Sequence, residues 1–478
     1  MHLGTLFWLL NVAVAYAQTS RRLDINSVSS FNASSSSSFI VPAAGQLTVS
    51  VALCSSSNPR FFVTNASTTS IPSSSGGQDV FEIFLSDGHG NWTGKFDGGG
   101  LLAIEASGEV PFEVGVSDNG PMHQALSDPA FLGDTTANQA IIFSYPFAAW
   151  DFAEPRYPNY TLPQANLTAP TPPSSAPNFT IFVSTTTSSA LNSLPKTGCA
   201  LNAQRSEGVV SSQSAWLKDE SGWREQWILS QLAPSTNYTA FVIQDGTKIS
   251  RPIMFVTKSA TFACPLAASL PYCPGIAYSV PLPAPPSADA VYDASNLPES
   301  ITEPLISSLT NFTTSLLTFA CGRDWYSPIV SCADCQREYR KWLCTISFPR
   351  CGEASPNGSN TLTRSSADPS ATGVRADAFA QQVLSALVPQ PTSAKSRNEN
   401  FPDMGSEYSV LLPCLETCNA VDRACPSFLG FRCPVRRFNA AASYGVGYID
   451  SGDEDGEAGR GMTGVAQDTF GNIWCNAG

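Results

Sequence analysis

Charge and histidine are scarce in this chain. Of 478 residues only 14% are charged, and there are three histidines. No H-E-x-x-H, G-x-S-x-G or P-loop pattern occurs, which excludes the chemistries those motifs carry. Only His89 and His123 lie beyond the first residues, and a lone histidine is read as structural. Basic residues are outnumbered, 26 against 39 acidic ones, and the net charge of −13 excludes nucleic acid as a partner. Screening over about 8 Å at physiological salt makes solubility the plain reading of that acidity. Beyond residue 17 no run approaches the ~18 continuous apolar residues of a spanning helix. The end, Ile473-Trp-Cys-Asn-Ala-Gly478, lacks the apolar tail of a lipid-anchor signal. No cofactor and no metal are expected. The acidic run Asp450-Ser-Gly-Asp-Glu-Asp-Gly-Glu457 fails as a calcium loop. With Gly456 at the invariant glycine, Ser451 falls first and Met462 stands where a bidentate Glu belongs.

What is present points to the secretory route. Leu3 to Ala15 is apolar, broken by Gly4, Thr5 and Asn11, and Ala15-Tyr16-Ala17 is a small-x-small site. Residues 1–17 are therefore read as a signal peptide, although no Lys or Arg precedes the apolar run. The fourteen cysteines are an even number, as an oxidised framework expects. Nine N-x-[ST] acceptors occur, at Asn32, Asn65, Asn91, Asn159, Asn166, Asn178, Asn237, Asn311 and Asn357.

The chain is long enough for several cores, and it divides by composition. Residues 18–39 end in a serine run and read as a flexible lead-in. From 40 to 155 short alternating stretches dominate: Leu47, Val49, Val51 and Leu53, then Val110, Phe112, Val114 and Val116, with Phe61-Phe-Val and Val80-Phe-Glu-Ile-Phe-Leu between them. That pattern predicts an antiparallel β-sandwich. Residues 156–177 are a proline-rich linker. A second β-sandwich is expected over 178–262. In it Leu232-Ala-Pro-Ser-Thr-Asn-Tyr238 resembles the tyrosine corner of fibronectin type III domains. Residues 263–298 carry Cys264, Cys273 and many prolines and read as a stapled connector. Cys54 and Cys199 can pair with each other or with those two, and the sequence does not choose.

From 299 to 478 the period turns helical. Ile301, Leu305, Leu309, Phe312 and Leu316 line one face. Ten cysteines follow, at 321, 332, 335, 344, 351, 414, 418, 425, 433 and 475. Cys332, Cys335, Tyr339 and Trp342 share a helix face, with Cys344 about half a turn round from Cys335. Cys414, Cys418, Val421 and Cys425 form a stripe between Pro413, which suits a first helical turn, and Pro426, which ends the helix. Cysteines on one stripe cannot pair along it and must reach other elements. The expectation is a helical module closed by five bridges, with 353–408 a low-complexity insertion holding one amphipathic piece, Ala376 to Leu387. Zinc is disfavoured because Cys332-Ala-Asp-Cys335 has no second C-x-x-C and no His pair. Redox chemistry is disfavoured because the βαβ context is missing.

Several motifs here occur in a known order. Cys321-Gly-Arg-Asp-Trp-Tyr-Ser-Pro, Ser331-Cys-Ala-Asp-Cys335, Phe348-Pro-Arg-Cys351, Leu412-Pro-Cys-Leu-Glu-Thr-Cys418 with Cys425-Pro, and Tyr444-Gly-Val-Gly-Tyr resemble the fungal stretch-activated calcium-channel regulatory subunits, the mating-induced-death family. More distantly, the ten-cysteine layout is similar to frizzled-like domains and to the auxiliary factor of sodium-leak channels. The resemblance covers the last third of the chain. It implies an extracellular accessory subunit of a four-repeat calcium channel, held at the membrane by that partner and promoting calcium entry. A secreted or wall-associated adhesion glycoprotein and a secreted glycan hydrolase are the rival classes. Carboxylate pairs of a hydrolase cannot be read from spacing. Interfaces favour aromatic and arginine anchors, and Arg323, Trp325, Tyr326, Arg337, Tyr339, Arg340 and Trp342 concentrate around the first module helix. Tyr339 and Trp342 share the cysteine face and are expected in the core. Arg323, Trp325, Arg337 and Arg340 are the candidate docking residues, the last two on another part of the helix.

Overall fold

The computed structural model describes residues 21–33, 37–66, 71–77, 79–150, 162, 171–287, 290–318, 326–353, 386–390, 392, 396–435, 440–445 and 475–478. The signal peptide, most of the linker, residues 376–385 of the piece Ala376 to Leu387, and the acidic run at 450–457 lie outside them. Packing divides the chain into two units, one of residues 1–125 with 193–204 and 244–249, the other of the remainder.

Among the described residues the first unit is built on a sandwich of nine strands. One sheet has the order β1-β3-β8-β5-β6, from β1 (Arg21–Arg22), β3 (Ser38–Val41), β5 (Arg60–Thr64), β6 (Val80–Ile83) and β8 (Gly100–Glu105). The other is β2-β9-β4-β7, from β2 (Ser27–Ala33), β4 (Ala44–Leu53), β7 (His89–Phe96) and β9 (Val110–Ser117). The alternating residues of β4 and β9 all turn inward, as a two-layer core requires. Phe112 anchors it, its ring centroid 5.1 Å from Phe61 and 5.8 Å from Phe39. The lead-in expected at 18–39 is corrected here. Seven residues of β2 pair with β9, and Phe31 packs on Phe39 and Phe112. Backbone hydrogen bonding needs no apolar side chains, so a serine-rich segment can still complete a sheet. Two short strands, β10 (Gln124–Ala125) and β17 (Lys248–Ile249), pair in parallel.

The second unit begins with another sandwich. Its sheet β11-β12-β15-β14 joins β11 (Phe131–Thr135) and β12 (Ala140–Phe143) to β14 (Val209–Trp216) and β15 (Arg224–Ser230). The facing sheet holds β13 (Phe179–Thr185), β16 (Asn237–Gln244) and β18 (Ile253–Val256). Trp227, Val183, Ala240, Val242 and Phe255 meet between them. The boundaries 40–155 and 178–262 are thereby corrected: β11 and β12 belong to this second sandwich, with Ile142 opposite Trp227. Alternation identifies a strand but not the sheet that receives it. At the corner before β16 the Ala233 N–H donates to the Tyr238 hydroxyl at 2.9 Å.

Residues 263–298 are more than a connector. The hairpin β19 (Leu266–Ala267) with β20 (Tyr278–Ser279) lies in a buried cluster with Leu270, Ile276, Val280 and Leu282. Helix α3 (Glu299–Leu317) follows the one-turn helices α1 (Ser189–Ser193) and α2 (Gly198–Asn202) in chain order, and lays Ile301, Leu305 and Leu309 onto that cluster. Its far end, Leu316, packs with Cys335 of α4 (Cys332–Ser347) and Val421 of α5 (Leu415–Ala424). The region is not wholly helical, which corrects the all-helical expectation. Strands β21 (Arg350–Gly352), β22 (Leu387–Gln390) and β23 (Tyr408–Leu411) form a sheet in the order β21-β23-β22, followed by α6 (Ala440–Ser443). β22 and buried Phe401 lie inside the span 353–408 expected to be a low-complexity insertion, and β23 starts at its end.

Candidate functional site

The cysteine-rich module is held from α4 outward. Ser331 caps the helix: its hydroxyl accepts from the Asp334 N–H, and the Asp334 carboxylate accepts from the Ser331 N–H at 2.7 Å. On the buried side Cys335 bonds to Cys425. Cys414 pairs with Cys475 and Cys418 with Cys433, so the stripe on α5 reaches three separate places. Pro413 precedes the N-cap, Cys414, rather than sitting in the first turn. Cys332 is also disulfide-bonded. Two module cysteines reach outside it, Cys344 to Cys273 and Cys351 to Cys264, which corrects the expectation of five bridges closed within the module. Cys54 pairs with Cys199 in the first unit.

Those outward bridges explain the fate of the candidate arginines. Arg340 is buried, 7% exposed, and its Nη1 donates to the Tyr272 carbonyl at 3.1 Å. Burial lowers its pKa to about 10. Its assignment to docking is therefore corrected. Position 340 is one turn before Cys344 and one after Gln336, both buried, so it lies on a second covered face. The signal was there: a cysteine half a turn from the first stripe implies a second packed neighbour. Arg337 is the more accessible of the pair, half-buried with its side chain 28% exposed. It forms ion pairs with Asp334 and Glu220, which hold its pKa above the ordinary value although partial burial works the other way. Arg323 and Trp325 lie outside the described residues.

The aromatic set is mostly internal. Tyr339 stacks on Phe312 and lies 5.5 Å from Trp342, whose indole N–H donates to the Tyr444 hydroxyl at 2.9 Å. The Tyr326 hydroxyl lies 2.6 Å from the Ser331 carbonyl and 2.5 Å from that of Ala424, and burial pushes its pKa up to about 12. These contacts leave an open groove of about 300 Å³ between α4 and α5. Val330, Ala420 and Ala424 line it, with Asp334, Arg337, Glu338 and Arg423 around them. Ile329, also in its lining, is 87% exposed. Sequence reading did not single out Ile329. An isolated apolar residue in a loop carries no periodic signal.

A buried polar centre joins four segments of this unit. Asp134 of β11 is buried and receives Lys258 Nζ at 2.7 Å, Arg350 Nε at 3.2 Å and the Ser279 N–H at 3.0 Å. Burial alone would raise its pKa. The charges of Arg350 and Lys258, with the hydrogen bonds, instead hold it well below the usual carboxylate range. The cluster carries no open face for a substrate and reads as a structural lock.

Among the described residues no catalytic constellation assembles. His123 is buried between Ser50 Oγ at 3.1 Å and the Glu113 carboxylate at 3.4 Å. The two groups with metal-ligand proximity, Cys54/Glu113/Cys199 and Cys414/Glu416/Cys475, each contain a disulfide and so offer no thiolate. No described helix is long and apolar enough to cross a membrane. Of the acceptor asparagines, Asn32, Asn91, Asn178, Asn237 and Asn311 are exposed and Asn65 is half-buried, while Asn159, Asn166 and Asn357 lie outside the described residues.

Fold and bridges together define a multidomain, disulfide-bonded, β-rich protein with a small helical module. The chain belongs to the Mid1 family, described as a stretch-activated Ca2+-permeable channel component, which it matches over residues 55–458. It is 36% identical to the stretch-activated cation channel MID1 of Cryptococcus neoformans var. grubii, covering 89% of this chain and 76% of that protein. It is 28% identical to the stretch-activated cation channel yam8 of Schizosaccharomyces pombe, over 46% of this chain and 41% of the relative. For MID1 of Saccharomyces cerevisiae the figures are 27%, 52% and 40%. The chain thus spans about two fifths of the length of these two relatives. A solved pre-peptidase C-terminal domain of a Bacillus anthracis collagenase aligns with 21% of this chain and 95% of its own, at 16% identity and a TM-score of 0.16, too low to argue from.

Proposed function

We propose that this chain is an extracellular regulatory subunit of a plasma-membrane calcium channel, promoting calcium influx through a pore-forming polypeptide of four repeats. The observation that carries the reading is the family match across residues 55–458. The oxidised cysteines support a secretory route, and the exposed acceptor asparagines fit N-glycosylation on it. The chain is held at the membrane by its partner. The helical module is taken as frizzled-like in the sense its cysteine layout implies, and as the part that docks. Arg337 and exposed Ile329 beside the α4/α5 groove are the anchors, with Arg323 and Trp325 proposed as further contacts. Acidic rings at channel mouths offer arginine a partner.

The test is affinity purification of the tagged native chain from detergent-solubilised membranes, with calcium uptake measured in cells lacking it. Recovery of a four-repeat channel polypeptide and reduced uptake support the reading. Recovery of wall polysaccharide alone, with normal uptake, favours an adhesion glycoprotein instead.

A further inference from the structure

Strand β14 forms the outer edge of its sheet and is hydrogen-bonded to β15 on one side. Among the described residues no strand pairs with its other side. Its first six residues are exposed, whereas every residue of β15 beside it is buried. An edge of this kind presents a row of N–H and C=O groups to any second strand. The common guards are missing, because Val209-Val-Ser-Ser-Gln-Ser214 has no charge and no proline. Val209 and Val210 are 47% and 43% exposed, and the only irregularity is a shift in register between Val210 and Ser212.

A modification site lies beside that edge. The Gln213 side-chain amide donates to the Phe179 carbonyl at 3.3 Å, which fixes residue 179 next to the middle of β14. The residue before it, Asn178, is exposed and opens the acceptor sequence Asn178-Phe-Thr180. Just upstream of β14 the Glu207 N–H donates to the Val183 carbonyl at 2.8 Å, and Ser206 Oγ accepts from the Val183 N–H at 2.9 Å. The chain therefore touches β13 at Val183 before entering β14, and the start of β13 lies across the sandwich from the middle of β14, at the rim beside its free edge. At ~3.4 Å per residue the eight residues of β14 span about 27 Å. A hydrated, bulky N-glycan rooted on the facing strand, opposite the middle of that length, can reach over it.

We propose that an N-linked glycan on Asn178 guards the free edge of β14 against pairing with a second copy of this chain. The proposal rests on the secretory reading above. Its test uses the full chain secreted from a eukaryotic host and purified without its partner, read by glycopeptide mass spectrometry and light scattering. Asn178 is expected to be occupied and the wild type to have the mass of one chain. Asn178→Gln and Thr180→Ala remove the acceptor by different changes, and each should at least double the apparent mass at the same concentration. Adding Val210→Lys, a charge on the edge, should restore the single-chain mass. An unmodified Asn178 in a chain glycosylated at Asn32 or Asn91 overturns the proposal and leaves the secretory reading intact. So does single-chain behaviour of both acceptor variants, or a doubled mass that Val210→Lys does not reverse. A chain modified at no acceptor overturns both.

Discussion

The first sandwich and the cysteine-rich module solve the same problem with different means. In the sandwich, strands β2 to β9 enclose one continuous apolar layer, and a single bridge, Cys54–Cys199, joins it to α2. In the module the buried cluster around Leu316, Cys335 and Val421 is small, and much of what it contains is cystine. Burial at about 25 cal/mol per Å² carries the sandwich. Covalent closure carries the module, because short helices leave little apolar area to remove from water. The connector belongs with the module in this respect, since Cys264 and Cys273 tie it to Cys351 and Cys344.

The sharpest way to break that contrast is reduction. A bridge that closes a loop of 15 residues contributes about 3 kcal/mol, and one closing ~100 residues about 4.7. Losing Cys335–Cys425, with a separation of 90, together with Cys418–Cys433, should exceed what so small a core holds. Hydrogen exchange under mild reductant should deprotect α4 and α5 first and leave β4 and β9 protected. In cells, Cys418→Ala should cause retention in the secretory pathway and loss of calcium uptake. Simultaneous loss of protection in both regions would remove the distinction. The reciprocal change is Phe112→Ala, which should cost the sandwich about 3–5 kcal/mol and leave α4 and α5 protected.

Asp134 sharpens the comparison from a third direction, as a junction held by charge. Its Asn variant leaves Lys258 and Arg350 buried without a counter-charge, which typically costs ~3 kcal/mol or more. The pH dependence follows from the lowered pKa. Because the folded carboxyl titrates below its unfolded value, the contribution is complete above the ordinary range near 4 and is lost as pH falls further. Thermal unfolding of wild type and Asp134→Asn should therefore differ most at neutral pH and converge below about pH 4. A constant difference across that window would show that the charge contributes nothing.

How much of this was legible varies with the physics involved. The strands β4 and β9 and the buried face of α3 were readable, because period 2 and period 3.6 are set by one neighbour on one side. Sheet membership was not. Ile142 and Phe143 read as well against the first sandwich as against Trp227, and only the closed core decides. The cysteine stripe on α5 told that its members reach elsewhere, but the pairing of Cys344 with Cys273 depends on where the connector folds. The docking set was the least legible part, since an arginine on a helix looks the same in sequence whether its second face is wet or covered. Burial beside the Tyr272 carbonyl separates Arg340 from Arg337.

That pair supplies the smallest and most specific prediction. Arg337→Glu changes a half-buried side chain in an ion pair at the module's surface, and surface pairs are worth about 0–1 kcal/mol. Secretion, glycosylation and melting should stay near wild type, while co-purification of the channel and calcium influx fall. Arg340→Glu places a carboxylate in a buried site whose acceptor, the Tyr272 carbonyl, cannot donate to it, so it should be retained rather than delivered. Arg340→Met fills similar space without charge and should be delivered more fully than Arg340→Glu. If docking uses the α4/α5 groove, Ile329→Asp should behave like Arg337→Glu, because Ile329 is exposed and its change leaves the core untouched. Wild-type assembly in both groove variants would move the interface away from this groove and make Arg337 an ordinary surface charge.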